Sequence, residues 1–273
     1  MNKFSLKNKV IIVTGALGLL GRQHVEAICE AEGIPVLIDL NQKALDTYIN
    51  EILKKYKIDA SGYSVDITDE KQIIKSCDEI ISKYKKIDGL INNAANNPKQ
   101  EDKEIMNSDR LESFNIKKWD LDLAVGLKGS FLCIKHYGYK ISQNQLGGSI
   151  VNISSDLGLI SPDQRIYKVD GLDDNNQPVK PITYSIVKTG IIGMTRYIAT
   201  YWAEKGVRCN ALCPGGVENS QDEDFKKKLE NKIPMNRMAK KDEYKGSIIY
   251  LLSDASSYVN GAIIAADGGR SVW

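Results

Sequence analysis

Val10-Ile11-Ile12-Val13-Thr14-Gly15-Ala16-Leu17-Gly18-Leu19-Leu20-Gly21 is the stretch that decides the fold of this 273-residue chain. It begins with a short, β-branched apolar run, which is typical of a strand buried on both faces in a parallel sheet. Glycines break the strand, and a helical pattern follows from Arg22 to Glu32, with Gly33 as its stop. This order of strand, glycine-rich turn and helix predicts a dinucleotide-binding unit, in which the backbone approaches a pyrophosphate at the helix N-terminus.

A second strand, 35–38, ends at Asp39. A carboxylate at this strand end can accept hydrogen bonds from the adenosine ribose diol and would repel a 2′-phosphate. Neither Arg nor Lys stands within the glycine-rich turn or at positions 40 and 41. We therefore expect NAD to be preferred over NADP.

The rest of the chain alternates predicted strands and helices and has no repeats or linkers. Seven such units predict one domain over residues 1–273, a single-domain α/β Rossmann fold whose doubly wound parallel sheet has about seven strands and helices on both faces. The predicted helices include 69–85, with Thr68 as N-cap, and 116–139. Two polar segments read as loops: 96–115, which could belong to a lid, and an enlarged substrate loop at about 156–183.

Composition excludes several classes of partner. A net charge of +2, with 42% hydrophobic and 26% charged residues, favours a soluble globular protein and argues against nucleic acid or an anionic membrane as partner. The five cysteines are widely spaced, which favours free thiols, and two histidines argue against a histidine-rich metal site. Without a signal-peptide pattern or a membrane-length apolar run, a cytoplasmic protein that holds no metal ion is expected.

Tyr184 and Lys188 are four residues apart, so on a helix they lie one turn apart on the same face. A phenol, with a pKa of about 10, is a poor base at neutral pH, and a nearby ammonium lowers that pKa. The pair therefore suits proton exchange with an alcohol or carbonyl oxygen. A solvated surface pair has the same spacing, so the interpretation depends on the surrounding residues.

Eight landmarks, in order, resemble the short-chain dehydrogenase/reductase superfamily over essentially the whole chain. They are Thr14-Gly15 with its glycines, Asp39, Asp66-Ile67, Asn92-Asn93-Ala94-Ala95, Asn152-Ile153-Ser154-Ser155, Tyr184-x-x-x-Lys188, Pro214-Gly215 and Asp267-Gly268-Gly269. A narrower resemblance is to the flagellin-modification oxidoreductases of nonulosonic (legionaminic-type) acid synthesis. It rests on Ser155-Asp156-Leu157, Ser161-Pro162-Asp163-Gln164-Arg165, Tyr201-Trp202-Ala203 and 267–273.

The resemblance implies a role for each landmark. Tyr184 would be the acid/base, Lys188 would lower its pKa and bind the nicotinamide ribose, and Ser155 rather than Ser154 would orient the substrate oxygen. Residues implied to hold the cofactor are Gly15, Leu17, Gly18, Leu20, Gly21, Asp39, Leu40, Asp66, Ile67, Asn93, Ala94, Ala95, Tyr184, Lys188, Pro214, Gly215 and Val217. A homodimer or homotetramer is also implied, through the long helices and the last strand.

Three departures from the family pattern stand out. The spacing Gly15-x-x-Gly18 resembles the extended branch, which includes sugar-nucleotide epimerases, yet only 89 residues follow Tyr184. Gly126 stands where many members carry an asparagine that supports a water in the proton relay. Ser155 and Tyr184 are 29 residues apart, more than is usual in the family. Tyr167 lies closer to Ser155, but position 171 is glycine, so Tyr167 lacks a lysine one turn on.

The leading hypothesis is an NAD-dependent oxidoreductase that moves a hydride between nicotinamide and a hydroxyl or carbonyl of a polar, sugar-related small molecule. Arg165 and Lys168 could contact a phosphate on that substrate, or could simply be solvated. One alternative is a sugar-nucleotide epimerase or dehydratase with tightly held NAD. Another is a non-catalytic NAD(H)-binding protein.

Overall fold

The computed structural model describes residues 2–96 and 109–273. They form one seven-stranded sheet in the order β3-β2-β1-β4-β5-β6-β7, with every neighbouring pair parallel. The strands are β1 (Val10–Thr14), β2 (Ile34–Asp39), β3 (Ser61–Ser64), β4 (Gly89–Asn92), β5 (Gly148–Ile153), β6 (Val207–Pro214) and β7 (Ile263–Ala266). The predicted doubly wound parallel sheet is confirmed.

The helices cover both faces of this sheet. Within the described ranges they are α1 (Leu19–Glu30), α2 (Gln42–Tyr56), α3 (Glu70–Tyr84), the long α4 from Ile116 to Ile141, α5 (Ile182–Tyr201), α6 (Glu223–Glu230) and α7 (Lys245–Leu252). Alternate residues of β1 point to opposite sides, as expected for a strand. Val10 and Ile12 pack with α3, α4 and α5, whereas Ile11 and Val13 pack with α1, α2 and α7.

Two helices differ from their sequence-based expectation. The N-cap of α3 is Asp69, whose carboxylate accepts the amide of Lys71 at 2.9 Å. Thr68 instead belongs to the preceding turn, where its amide and hydroxyl both donate to Asp66 Oδ1 at 2.8 Å. Helix α4 contains two π-helical segments, Ala124–Gly129 and Ile134–Gly138.

The enlarged loop is a folded segment with short 3₁₀ turns at Asp156–Gly158, Gln164–Tyr167 and Asp174–Asn176. Ile166 of the loop joins a small apolar cluster with Leu229 of α6. The loop ends one residue before Ile182, where α5 begins. Most of the other predicted loop, 96–115, lies outside the described residues, and so does the lid suggested for it.

Candidate active site

A cavity of about 890 Å³ lies at the carboxyl ends of the strands, where the chain order reverses between β1 and β4. This is the place at which open α/β sheets bind ligands. The cavity walls include every residue predicted for the site except Gly21: Gly15, Leu17, Gly18, Leu20, Asp39, Leu40, Asp66, Ile67, Asn93, Ala94, Ala95, Ser155, Tyr184, Lys188, Pro214, Gly215 and Val217.

The glycines of the turn let the backbone pack closely at the start of α1. Gly15 has a φ of +62°, and a Cβ there would lie 2.9 Å from the Cα of Ala94. A Cβ on Gly21 would overlap the carbonyl oxygen of Gly15, so Gly21 acts by letting α1 pack on the turn. Helix α1 has no side-chain cap and no acidic residue in its first turn. Its free amides therefore fit the pyrophosphate of a dinucleotide.

Neighbouring strand ends hold this turn in place. Asp39 Oδ2 accepts the amide of Leu17 at 2.9 Å, and its Oδ1 accepts the amide of Leu40 at 2.8 Å. On the other side, the Asn93 amide group donates to the carbonyl oxygens of Thr14 and Gly15 at 3.0 and 3.1 Å. The acidic strand end and the turn therefore form one rigid unit at one end of the cavity.

Ser155, Tyr184 and Lys188 meet at the other end of the cavity. Ser155 follows β5, and its buried hydroxyl interacts with the Tyr184 side chain. The hydroxyl of Ser154 donates to the backbone carbonyl of Lys188 at 2.7 Å. Ser154 thus joins β5 to α5, whereas the Ser155 hydroxyl lies beside Tyr184.

The pKa of Tyr184 is raised in this structure, whereas its spacing from Lys188 predicts a lowered one. Burial raises the pKa of Tyr184, and hydrogen bonding with Ser155 only partly opposes this. Lys188 Nζ donates to the carbonyl oxygen of Ile153 at 3.0 Å and lies 5.7 Å from the centre of the Tyr184 ring. Burial also lowers the pKa of Lys188 to about 8.

Two family models match successive parts of the chain. The model described as short chain dehydrogenase matches residues 9–167, and the model described as enoyl-(acyl carrier protein) reductase matches residues 174–271. The chain belongs to the short-chain dehydrogenase/reductase superfamily. The superfamily uses a nicotinamide cofactor and a Rossmann-like fold, in agreement with the architecture and the cavity described above.

Relatives within the superfamily have different names. Post-translational flagellin modification protein A of Campylobacter coli is 27% identical, over 97% of this chain and 98% of its own length. An NADP-dependent mannitol dehydrogenase of Alternaria alternata is 30% identical, over 98% of this chain and 94% of its own. Among solved structures, a short chain dehydrogenase of Leptospira borgpetersenii with bound NAD+ has a TM-score of 0.82 and 27% identity, covering 98% of this chain and 94% of that one.

Gly126 has a packing role that the superfamily pattern does not reveal. It lies in the first π-helical segment of α4, where α4 crosses α5. A Cβ at Gly126 would overlap the Cγ1 atom of Val187, directly before Lys188. An asparagine therefore cannot occupy this position without displacing Val187. The close approach of α4 to the helix that carries Tyr184 explains the glycine.

Sequence reasoning missed three charged residues at the Tyr184 end of the cavity: Asp156, Lys180 and Arg270. Asp156 Oδ1 accepts the Ser155 hydroxyl at 2.7 Å, and its Oδ2 accepts Arg270 Nη1 at 2.6 Å. Lys180 Nζ lies 3.7 Å from the centre of the Tyr184 ring. Asp156 and Arg270 stood inside motifs used for the family resemblance, but no sequence periodicity singled out Lys180.

Arg165 and Lys168, the loop residues that could contact a substrate phosphate, are engaged elsewhere. Arg165 makes a two-pronged contact with Asp163, at 2.8 and 2.7 Å. Lys168 is paired with Asp174 at 3.5 Å on the exposed side of the loop. Tyr167 packs against Phe225 with ring centres 5.4 Å apart, and burial raises its pKa to about 12. These contacts favour solvated or structural roles.

Residues 2–96 and 109–273 contain no group of three or more His, Cys, Asp or Glu side chains arranged to hold a metal ion. Over the same ranges, no helix has the length and apolar character needed to cross a membrane.

Proposed function

We propose that this protein is an NAD-dependent dehydrogenase or reductase acting on a hydroxyl or carbonyl carbon of a polar, sugar-related molecule. The observation that carries the proposal is the meeting of Ser155, Tyr184 and Lys188 at one end of a cavity whose other end is the glycine-rich turn. Bound nicotinamide would supply or accept the hydride. Tyr184 would exchange the proton with the substrate oxygen, which Ser155 would orient.

The choice of NAD rests on Asp39. Its carboxylate faces the cavity and is fixed by the amides of Leu17 and Leu40, so a 2′-phosphate would meet a fixed negative charge. Arg22, the nearest arginine in the sequence, stacks on the Tyr48 ring at 4.2 Å and donates to the carbonyl of Leu17. Because relatives use either cofactor by name, binding of NAD and NADP should be compared directly.

A sugar-related substrate is supported by the polar character of the cavity end and by the names of two relatives. One is a mannitol dehydrogenase and the other a flagellin modification protein. The proposal also places the protein in the cytoplasm, where thiols such as its five free, buried cysteines stay reduced.

A homodimer or homotetramer forms part of the proposal. Several large side chains along α4 and α5 are exposed: Leu121, Phe131, Tyr139, Tyr197 and Tyr201. The rings of Tyr197 and Tyr201 stack on each other at 5.7 Å. Exposed apolar and aromatic side chains of this kind favour association. Light scattering after size-exclusion chromatography measures the assembly directly.

The decisive experiment follows the absorbance of reduced cofactor with polyols, sugar acids, sugar phosphates and nucleotide sugars. Tyr184→Phe removes the exchangeable proton and should abolish turnover, while NAD binding, measured by calorimetry, stays within about threefold of wild type. Steady NADH production would exclude an epimerase or dehydratase with tightly held NAD. Unchanged turnover in Tyr184→Phe would contradict the assigned role, and binding of NAD without any turnover would favour a non-catalytic protein.

A further inference from the structure

Lys180 is held in place at the end of the enlarged loop. Its backbone amide donates to Gln164 Oε1 at 2.8 Å, and its carbonyl accepts Gln164 Nε2 at 3.2 Å. Pro178 and Pro181 flank it closely and restrict the backbone further. The loop therefore presents the Lys180 side chain from a fixed backbone, at little conformational cost on binding.

The side chain of Lys180 enters the active-site cavity. Its ammonium lies over the face of the Tyr184 ring, 3.7 Å from the ring centre, which is closer than Lys188 at 5.7 Å. A cation over an aromatic face is attracted by the ring quadrupole. This contact holds the ammonium over the ring whose hydroxyl would exchange a proton with the substrate.

The charges around Lys180 leave it available to an anion. Arg270 also lines this end of the cavity, but its charge is balanced by Asp156 in a buried pair. Lys188 is occupied by the carbonyl oxygen of Ile153. No carboxylate of the described residues lies within ion-pair distance of Lys180 Nζ. The unpaired carboxylates of the cavity, Asp39 and Asp66, belong to its adenosine end.

We propose that Lys180 binds an anionic group of the substrate, a carboxylate or phosphate, carried on a polyhydroxy chain beside the carbon that reacts at Tyr184. This inference rests on the proposed function and narrows its substrate class to sugar acids and sugar phosphates. A neutral polyol of the same length lacks the group that Lys180 attracts. Lys180 is thus a substrate-binding residue that determines specificity.

The electrostatics of the site agree with this assignment. Burial lowers the pKa of Lys180 to about 8. The positive charge of Arg270 lowers this pKa further, whereas the negative charges of Asp156 and Asp109 raise it. The side chain is therefore mainly charged at neutral pH, in a partly dehydrated place where one charge-assisted hydrogen bond is stronger than in water.

Calorimetry tests the inference with three probes of similar chain length: mannitol, gluconate and mannitol 1-phosphate. Each is titrated into wild type, Lys180→Met, Lys180→Arg and a matched control, Lys168→Met, with and without saturating NAD. Lys168 lies in the same loop but is exposed and paired with Asp174. Titration with NAD alone is carried out first and tests the proposed function separately.

In wild type, at least one of the two anions should bind 10-fold or more tightly than mannitol. Lys180→Met should weaken the binding of that anion by about 10- to 100-fold, as expected for loss of one charge-assisted contact. Mannitol binding should stay unchanged, Lys180→Arg should retain part of the preference, and Lys168→Met should behave as wild type. Preference for gluconate identifies a carboxylate, and preference for mannitol 1-phosphate identifies a phosphate.

The inference is overturned if neither anion binds better than mannitol, or if Lys180→Met leaves the preference intact. It is also overturned if Lys180→Met weakens the binding of mannitol as much as the binding of the anions, because the residue would then act only on the shape of the cavity. None of these outcomes depends on turnover. Failure of the proposed function would appear instead as absent NAD binding or absent NADH production.

Discussion

The guanidinium of Arg270 lies 2.6 Å from the carboxylate of Asp156, and both side chains are buried. The pair joins the residue after Ser155 to the last turn of the chain, 114 positions away in sequence. The other oxygen of Asp156 accepts the Ser155 hydroxyl at 2.7 Å. The C-terminal segment therefore helps to orient a candidate catalytic side chain that it does not touch.

Removal of Arg270 should destabilise the protein strongly. Arg270→Met leaves the buried carboxylate of Asp156 without its counter-charge, which costs about 3–5 kcal/mol in comparable pairs. Turnover should fall as well, because Asp156 also holds Ser155. Urea denaturation gives the free energy of unfolding.

Arg237→Met is the matched control, since Arg237 contacts Glu243 at the same 2.6 Å but on the surface. Such exposed pairs contribute at most about 1 kcal/mol. Adding Asp156→Asn to Arg270→Met should restore part of the lost stability. Equal effects of the two arginine substitutions would contradict a special role for the buried pair.

A side chain at position 126 should interfere with the contact between α4 and α5. Gly126→Ala is expected to destabilise by about 1–3 kcal/mol, because its Cβ would overlap Val187 and overpacking is costly. Combining it with Val187→Ala should cost less than the sum of the two single changes. Thermal and urea unfolding of the four proteins of this double-mutant cycle measure the coupling.

Gly193→Ala provides the comparison for Gly126→Ala. Gly193 also lies in a helix, but its added Cβ would meet no atom within 4 Å. Alanine there should stabilise by about 0.5–1 kcal/mol, since glycine is a poor helix residue. If both alanine variants were stabilised alike, the packing explanation for Gly126 would be wrong.

His24 should make the protein sensitive to acid. It is fully buried in α1, and burial lowers its pKa from 6.5 to about 3. Between these values the unfolded chain binds a proton that the folded chain does not. His24 therefore does not change the free energy of unfolding above pH 6.5. It lowers that free energy by about 1.4 kcal/mol for each pH unit as the pH drops from 6.5 towards 3.

His24→Leu should flatten that dependence, because leucine does not titrate. The free energy of unfolding is measured by urea denaturation from pH 7 to pH 4 in both proteins. His136→Leu serves as control, since His136 is partly exposed beside Glu70. A His24→Leu variant with the same acid slope as wild type would assign the sensitivity to other groups.

Local patterns were sufficient for the fold. The β-branched run of β1 and the glycines after it predict a buried strand and a tight turn wherever they occur, because backbone sterics act between neighbours. The same holds for Tyr184 and Lys188, whose spacing places them on one helix face. Helix ends were less certain: Thr68 and Asp69 are both good caps, and the turn at Asp66 decided between them.

The arrangement of charged side chains at the Tyr184 end of the cavity depended on the tertiary structure. Lys180, Asp156 and Arg270 come from a loop, a strand end and the C-terminal turn, and nothing in their spacing brings them together. Burial, which cannot be read from spacing, raised the pKa of Tyr184 where the sequence alone suggested that Lys188 would lower it. Desolvation depends on all the atoms packed around a group.

The resemblance to the superfamily assigned Ser155. By itself, the sequence determined the parallel α/β architecture, the glycine-rich turn with Asp39, and the shared helix face of Tyr184 and Lys188. These follow from interactions within one element or between an element and its adjoining turn. Only the tertiary structure decided that Gly126 makes room for Val187, that Asp156 is held by Arg270, and that Lys180 lies over Tyr184. Those relationships join distant segments, and close packing in three dimensions is what sets them.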